Sequence, residues 1–552
     1  MRAEKRGTER AVLSVGLLES AVQADAFVRA IDLFVDRLGD LTKLGFSQPA
    51  ERQKEKGGAP AYSHQVLLKC YLYGYYYGVR SSRRLARQCR INIEMMWLLE
   101  GLQPEYHTIA DFRKNYPEGL KKVFTAFNDF LNQQGLFGKE TIGVDGVKIR
   151  AQNSRKNNYN EDKVSRHQEY NEKKTKEYLK EIEELDQQDA AQEDSQQKNE
   201  TRKAQIQKAL DALKKSKDKY DNLATQLTEA QKTAQTQIST TDPDSRALPE
   251  HMKTVSVGYN IQTGVDDKYC LIAHFEVTNI KDTNALGQFA CDTATALGTT
   301  LEQAMTLLAD AGYHCGEELA FCAQNNLITY VAPVQGHTTR EEGFRKEDFK
   351  YDAPTNTYTC PAAQTLSTNG TWYDRKNRNG QIINSFLRYI AAKEICQACS
   401  MATQCLGNCD PKRCKKGRSI ERSEYEEYVE ANRLRVEQNR DIYRRRQAIV
   451  EHPFGTIKRG WGYTYTLLKR IPKVTGEFSL IYTAYNMRRS VSIRSFTRLM
   501  TALKSWNLNL EWVEKAQFFL FSLLDALCSL LLPKQYSIGF FRTGFCLAKT
   551  WR

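Results

Sequence analysis

The N-terminus, MRAEKRGTERAVLSVGLLES, has no continuous apolar stretch and no clear small-residue cleavage site. That predicts a chain without a signal peptide, resident in the cytoplasm. A membrane-crossing run is missing as well. The one membrane-like stretch, AQFFLFSLLDALCSLLL at 516–532, is short and carries Asp525 near its middle. A span needs about 20 apolar residues, and a central aspartate costs roughly 2.5–3.5 kcal/mol on insertion scales. A buried or partner-facing helical tail over 501–552 is therefore expected, and no membrane partner, with a tail anchor as the alternative. Acidic residues are in deficit, 66 Asp and Glu against 80 Lys and Arg, for a net charge of +14. Such a balance favours anionic partners and by itself does not choose among them.

What the chain does have is segmental contrast. Residues 20–135 read as all-helical, with SHQVLLKCYLYGYYYGVRSSRRLARQCRINIEMMWLLEGL broken at Gly78 and restarted at Ser81 and Ser82, both good N-cap types. Arg80, Arg83, Arg84, Arg87 and Arg90 concentrate charge on one short helix, which suggests a helix-turn-helix-like DNA-binding domain over 1–135. A helical bundle with merely solvated arginines fits this segment equally well. Next, ETIGVDGVKIRAQ supplies the strand residues Ile142, Val144, Val147 and Ile149, with Asp145 among them. An acid inside an apolar strand is costly unless paired, protonated or metal-bound.

From 158 to 240 the composition turns to Glu, Lys, Gln and Ala with apolar residues at helical spacing on either side of DQQDAAQEDSQQKNE, the pattern of an antiparallel helical hairpin. Strands resume around a hairpin turn at Val265 to Lys268, then a helix over TNALGQFACDTATALG. A strand ends at Asp310, a helix runs from about Gly316 to Asn325, and a strand from Leu327 to Pro333. Asp310 stands where open α/β sheets place their sites.

A third acid stands out in RRRQAIVEHPFGTIKRGWG, where Glu451 is set among Arg444, Arg445, Arg446, Lys458 and Arg459. On a regular helix Arg444, Glu451 and Lys458 share a face, although Pro453 implies a kink or a helix restarting there. Asp145, Asp310 and Glu451 offer hard oxygen ligands of the kind that suit Mg²⁺ or Mn²⁺. Two such ions about 3.5–4 Å apart serve in-line phosphodiester displacement, and the surrounding cations would hold nucleic acid.

At these residues the sequence resembles the bacterial insertion-sequence transposases of the DDE type, which have an RNase H-like catalytic core. The resemblance runs through GGAPAYSHQVLLKCYLYGYYYGVRSSRRLA, HTIADFR, VDGVKIRA, DPDSR, VGYNIQTGVD, LLADAGY and VEHPFGTIKRGWG. It implies Asp145, Asp310 and Glu451 as the catalytic triad holding two Mg²⁺ or Mn²⁺ ions. It further implies cleavage at transposon ends to free 3′-hydroxyls, and their transfer into target DNA. Tyr443, Arg446 and Lys458 match a DNA-contacting signature around the last acid, Tyr443 and Arg446 standing one residue farther upstream than usual. The implied partners are double-stranded DNA, as terminal inverted repeats and target, and a second copy of the chain in a nucleoid-associated complex.

The implied fold is an α/β RNase H-like core over 136–500 behind the all-helical N-terminal domain, interrupted by the 158–240 helical hairpin and by a cysteine-rich insertion over 335–425. In that last segment Cys360, Cys396, Cys399 and Cys405 are the preferred zinc ligands. A cytoplasmic chain has little use for disulfides, and C-x₂-C with further cysteines nearby is zinc-like. Cys409 and Cys414 are surplus, and reduced cysteines in a loop are the alternative. Two functions follow from the whole reading: an active transposase, or a catalytically silent, zinc-containing DNA-binding protein of the same descent. A nuclease without strand transfer is a weaker third.

Overall fold

A computed structural model of the protein describes residues 15–47, 61–191, 196–232, 235–249, 255–299, 303–334, 343–376, 380, 382–406 and 417–513. The expected tail helix at 516–532 and Cys409 and Cys414 lie outside them. The chain divides into two units, one of residues 1–136, 292–300 and 479–552, the other of residues 137–291 and 301–478.

The first unit is helical. Its core is aromatic: Phe34 stacks on Trp506 at 5.7 Å, Trp506 meets Phe130 edge-on at 5.7 Å, and Tyr71, Tyr75 and Phe112 are also buried. Ser63 caps His64–Tyr76 by accepting from Val66 N, and Gly78, at φ +76°, turns the chain out of that helix. Helix α1, Ser82–Ile91, follows. It buries Leu85, Ala86 and Cys89 and exposes Arg83, Arg84, Arg87 and Arg90. Arg80 is not part of that exposed row. It is buried before the helix begins, and its carbonyl accepts from Arg113, itself buried.

The second unit is built on a mixed sheet. Strand β1 is Thr141–Arg150, β2 Arg246–Pro249, β3 Val255–Asp266, β4 Leu271–Thr278, β5 Met305–Ala309 and β6 Leu327–Val331. The order is β2-β3-β1-β5-β6, with β4 also paired to β3. Pairings of β3 with β1, β2 and β4 are antiparallel, whereas β1–β5 and β5–β6 are parallel. The hairpin between β3 and β4 is closed by Asp266, whose buried carboxylate accepts from the amides of Gly138, Lys139 and Lys268.

Helices α2, Glu161–Ala191, and α3, Gln196–Gln231, lie antiparallel: Gln168 meets Asp221, Asn171 meets Ser216, and Arg202 meets Glu181. At their base Tyr159, Val164, Leu223 and Leu227 form a small core of their own. Between β5 and β6 runs helix α4, Gly316–Gln324. An antiparallel five-stranded sheet then forms from β7 Lys350–Asp352, β8 Thr357–Thr359, β9 Thr365–Lys376, β10 Ile382–Ile390 and β11 Ser419–Ser423. Two consecutive helices follow, α5 Glu426–Gln438 and α6 Arg440–Phe454.

Pro453 lies inside the last turn of α6, and the backbone does not continue as an α-helix. Residues Gly455–Gly460 form a π-helical turn. Proline has no amide to donate and crowds the carbonyl four residues back, so a wider turn follows. Here Trp461 N bonds Thr456 O, five residues back. This corrects the helical-face expectation: Arg444 and Glu451 share α6, but Lys458 sits in the π turn and loses the α-helical phase. Among the described residues no helix is long and apolar enough to cross a membrane.

Candidate active site

Alternation along β1 determines what each residue faces. Gly143 and Asp145 point to the side covered by α6. A methyl group on Gly143 would lie 2.8 Å from Val450 Cγ1 and 2.9 Å from Ile449 Cγ2, so glycine there lets α6 sit directly on the strand. Ile449 and Val450 join Val265, Leu308, Tyr330 and Val436 in one apolar cluster. The residue after Val450 is Glu451, exposed, its Oε1 accepting from Gln447 Nε2 at 2.9 Å. Glu451 therefore lies on the helix that packs on β1 at Gly143, one residue past the apolar contact, and its side chain is turned to solvent.

Asp145 stands within an unbroken strand, opposite Thr263. Its side chain is 26 % exposed, with Arg446 Nη1 3.5 Å from Oδ2 and the Gly146 amide donating to Oδ1 at 2.8 Å. Burial pushes this carboxyl up to about 6; the neighbouring charge of Asp310 adds to the rise, and Arg446 opposes it. Asp310 directly follows β5, the parallel neighbour of β1, and caps the turn Ala311–Tyr313 by accepting from Gly312 N at 2.8 Å. The two aspartates therefore share one electrostatic environment at adjacent strands. Tyr313 is buried beside them, its phenol pushed well above the ordinary value by burial and by the charges of Asp282, Asp145 and Asp310.

Asp282 is the residue that sequence reasoning missed. It lies in the turn Asp282–Asn284 after β4 and accepts from Asn260 Nδ2 and Gln262 Nε2, each at 2.7 Å, while Lys148 Nζ stands 3.4 Å away. Nothing in its local pattern, TNIKDTNALG, sets it apart from an ordinary polar turn.

The remaining expected residues are more scattered in role. Arg446 is turned inward toward Asp145. Tyr443 is half-buried against the apolar cluster under α6, and Lys458 is half-buried in the π turn. Arg83, Arg84 and Arg87 belong to the other unit, where Arg83 lies 5.1 Å over the Tyr106 ring. The aspartates of DPDSR are taken up locally: Asp242 accepts from Tyr259 OH and Arg470 N, Asp244 from Ile471 N.

Cys360, Cys396, Cys399 and Cys405 line one pocket with Phe344, Met401 and Arg418. The Gln364 amide donates to Cys360 Sγ at 3.3 Å and the Arg418 amide to Cys396 Sγ at 3.5 Å. Burial pushes the Cys405 thiol up; Arg418 opposes this, and the other three cysteines add to it. Among the described residues, no group of three or more His, Cys, Asp or Glu side chains is arranged to hold a metal ion.

Comparison with known families gives two matches: a transposase domain (DUF772) over residues 17–115, and a transposase DDE domain over residues 359–491. Both matches support an insertion-sequence transposase of the DDE type. No curated protein matches it. The DDE domain implies an RNase H-like α/β core, divalent-metal use and action on DNA. Its matched segment takes in Glu451 and the four pocket cysteines, while Asp145 and Asp310 lie outside both segments. The first transposase domain takes in α1 and its arginines.

Proposed function

We propose that the chain cuts DNA at transposon ends and joins the freed 3′-hydroxyls to target DNA, with Asp145, Asp310 and Glu451 as the metal-holding triad. What supports this reading is the closeness of Asp145 on β1 to Asp310 at the end of the adjacent β5, whose charge raises the Asp145 carboxyl, together with α6, seated on β1 at Gly143, which carries Glu451. Hard carboxylate oxygens in a half-buried pocket fit Mg²⁺ or Mn²⁺. Asp145, Asp310 and Glu451 would hold two such ions, which would supply activation of the attacking oxygen and charge stabilisation of the leaving one. The chain's own residues do the rest. Asp145 and Asp310 supply concentrated negative charge, Arg446 partly neutralises it, and the Gly146 and Gly312 amides fix the carboxylate orientations. Arg446, Tyr443 and Lys458 are proposed to grip DNA near the cut, and Arg83, Arg84 and Arg87 to bind the terminal repeats. The hairpin at 158–240 and the cysteine-bearing segment at 335–425 are read as insertions into the core, and the active complex as a homodimer.

The test is metal-dependent cleavage of DNA spanning the ends of the element that encodes the chain. Asp145→Asn, Asp310→Asn and Glu451→Gln are each expected to abolish cleavage while keeping the fold and most DNA affinity, since each removes ligand charge at nearly constant volume. Cleavage at the wild-type rate by any one of them removes that residue from the triad. A wild-type protein that binds the ends and never cuts them would favour the silent DNA-binding alternative.

The cysteine pocket is proposed to hold one structural zinc. Its apolar lining, four thiols and two amides directed at sulfur fit thiolate ligation, which requires the sulfurs to draw together from their present positions. Protein purified without chelator is expected to carry about one zinc per chain, and Cys399→Ser to release it and loosen the segment around β9 and β10. Elemental analysis without zinc would leave reduced, packed cysteines.

A further inference from the structure

Asp282 lies on the side of β1 away from α6. A methyl group on Gly146 would fall within contact distance of Asp282 Oδ1, Asn260 Oδ1 and Gln262 Nε2, so the glycine after Asp145 is the slot into which the Asp282 carboxylate fits. From that slot the carboxylate contacts β1 and β3 directly and is linked through Gln262 to the turn that Asp310 caps. Lys148, three residues after Asp145 on β1, faces Asp282 Oδ2. Gln262 donates to Asp282 Oδ1 and accepts from the hydroxyl of Tyr313, which belongs to the turn capped by Asp310. Asn260 adds a second donor to Oδ1 and also bonds Ile280 O at 3.1 Å, fastening the Asp282 turn to β3. The turns of Asp282 and Asp310 lie side by side: a methyl group on Gly312 would stand 3.7 Å from Asp282 Cβ.

We infer that Asp282 is a positioning residue that fixes Asp145 and Asp310 relative to one another, so that the two carboxylates can share cations. It does this from behind the sheet through two links, one to Lys148 and one through Gln262 to Tyr313. Oδ1 already accepts from two amides, which leaves it in a supporting role and not that of a ligand. The inference rests on the triad reading proposed above. Loss of a residue that orients metal ligands costs roughly 10-fold to 100-fold in metal affinity or activity.

The experiment uses the full-length chain and Mn²⁺ alone as probe. Calorimetric titration of wild type, Asp145→Asn, Asp282→Asn and Gln262→Met is combined with thermal melting in chelator. Asp282→Asn keeps the volume but turns an NH₂ group toward a donor, and it is expected to weaken Mn²⁺ binding about 10-fold or more with little change in melting temperature. Gln262→Met cuts the Tyr313 link while leaving every carboxylate, and a several-fold weakening is expected; it carries the test if Asp282→Asn does not fold. Should Asp145→Asn abolish binding while both other variants bind as wild type does, the triad reading stands and the role of Asp282 is overturned. Should wild type bind no Mn²⁺, or Asp145→Asn bind it normally, the triad reading falls and this inference with it.

Discussion

At the scale of single residues the candidate site is a problem of held charge. Asp145 carries a folded-state value of about 6 against an unfolded one near 3.9. Between those values the native chain binds more protons than the unfolded chain, so stability falls as pH rises. The contribution is complete below about 4 and lost as pH passes about 6. In chelator, wild type is expected to lose melting temperature from pH 4 to pH 7 more steeply than Asp145→Asn, and calorimetric scans of the pair check this. Carboxylates remote from the site contribute equally to both proteins, so the difference reports Asp145 and the charges coupled to it; parallel curves would remove it as the source. The acid itself was legible, since a carboxylate in a run of β-branched residues is conspicuous. Asp282 was not, because its role depends on Lys148, which lies 134 residues away in the chain.

At the scale of elements, strand and helix positions followed from pattern while the geometry between them did not. β5 was expected to stop at Asp310 and stops one residue before it, and the helix and strand after it lie within two residues of their expected bounds. Periodicity reports burial within a segment and is silent on which segment covers it. That is why the seat of α6 on Gly143, and the π turn after Pro453 that moves Lys458 out of phase, emerge only in three dimensions. Gly143 gives the element-scale prediction. Gly143→Ala places a methyl group 2.8 Å from Val450 Cγ1, and overpacking of this kind costs about 1–3 kcal/mol. A lower melting temperature is expected together with cleavage reduced beyond what the loss of folded protein explains, because α6 carries Glu451. Equal specific activity per folded molecule would mean that the helix re-seats without disturbing the acid.

At the scale of the whole molecule, the charge of +14 is unevenly used. Arg113, Arg80 and Arg446 are turned into the protein, and Arg90 is paired with Glu105, whereas Arg84 and Arg87 stand on the exposed face of α1 beside Arg83. Composition announced an anionic partner and could not say which cations were free to meet it; burial separates them. If α1 contacts DNA phosphates, each contact releases condensed counterions, and the slope of log affinity against log salt falls by about 0.9 per contact removed. Full-length Arg83→Ala/Arg84→Ala/Arg87→Ala is therefore expected to bind terminal-repeat DNA more weakly, with a salt slope shallower by up to about 2.7. Arg83 is expected to contribute least, because its guanidinium already rests on the Tyr106 ring. Replacing Arg446 or Lys458 is expected to lower cleavage more than initial binding, since both lie on the segment that carries Glu451. Gel-shift titrations at several salt concentrations, run beside cleavage assays on the same proteins, measure both quantities. A triple variant with the wild-type slope would make these arginines a solvated face and move end recognition elsewhere in the chain.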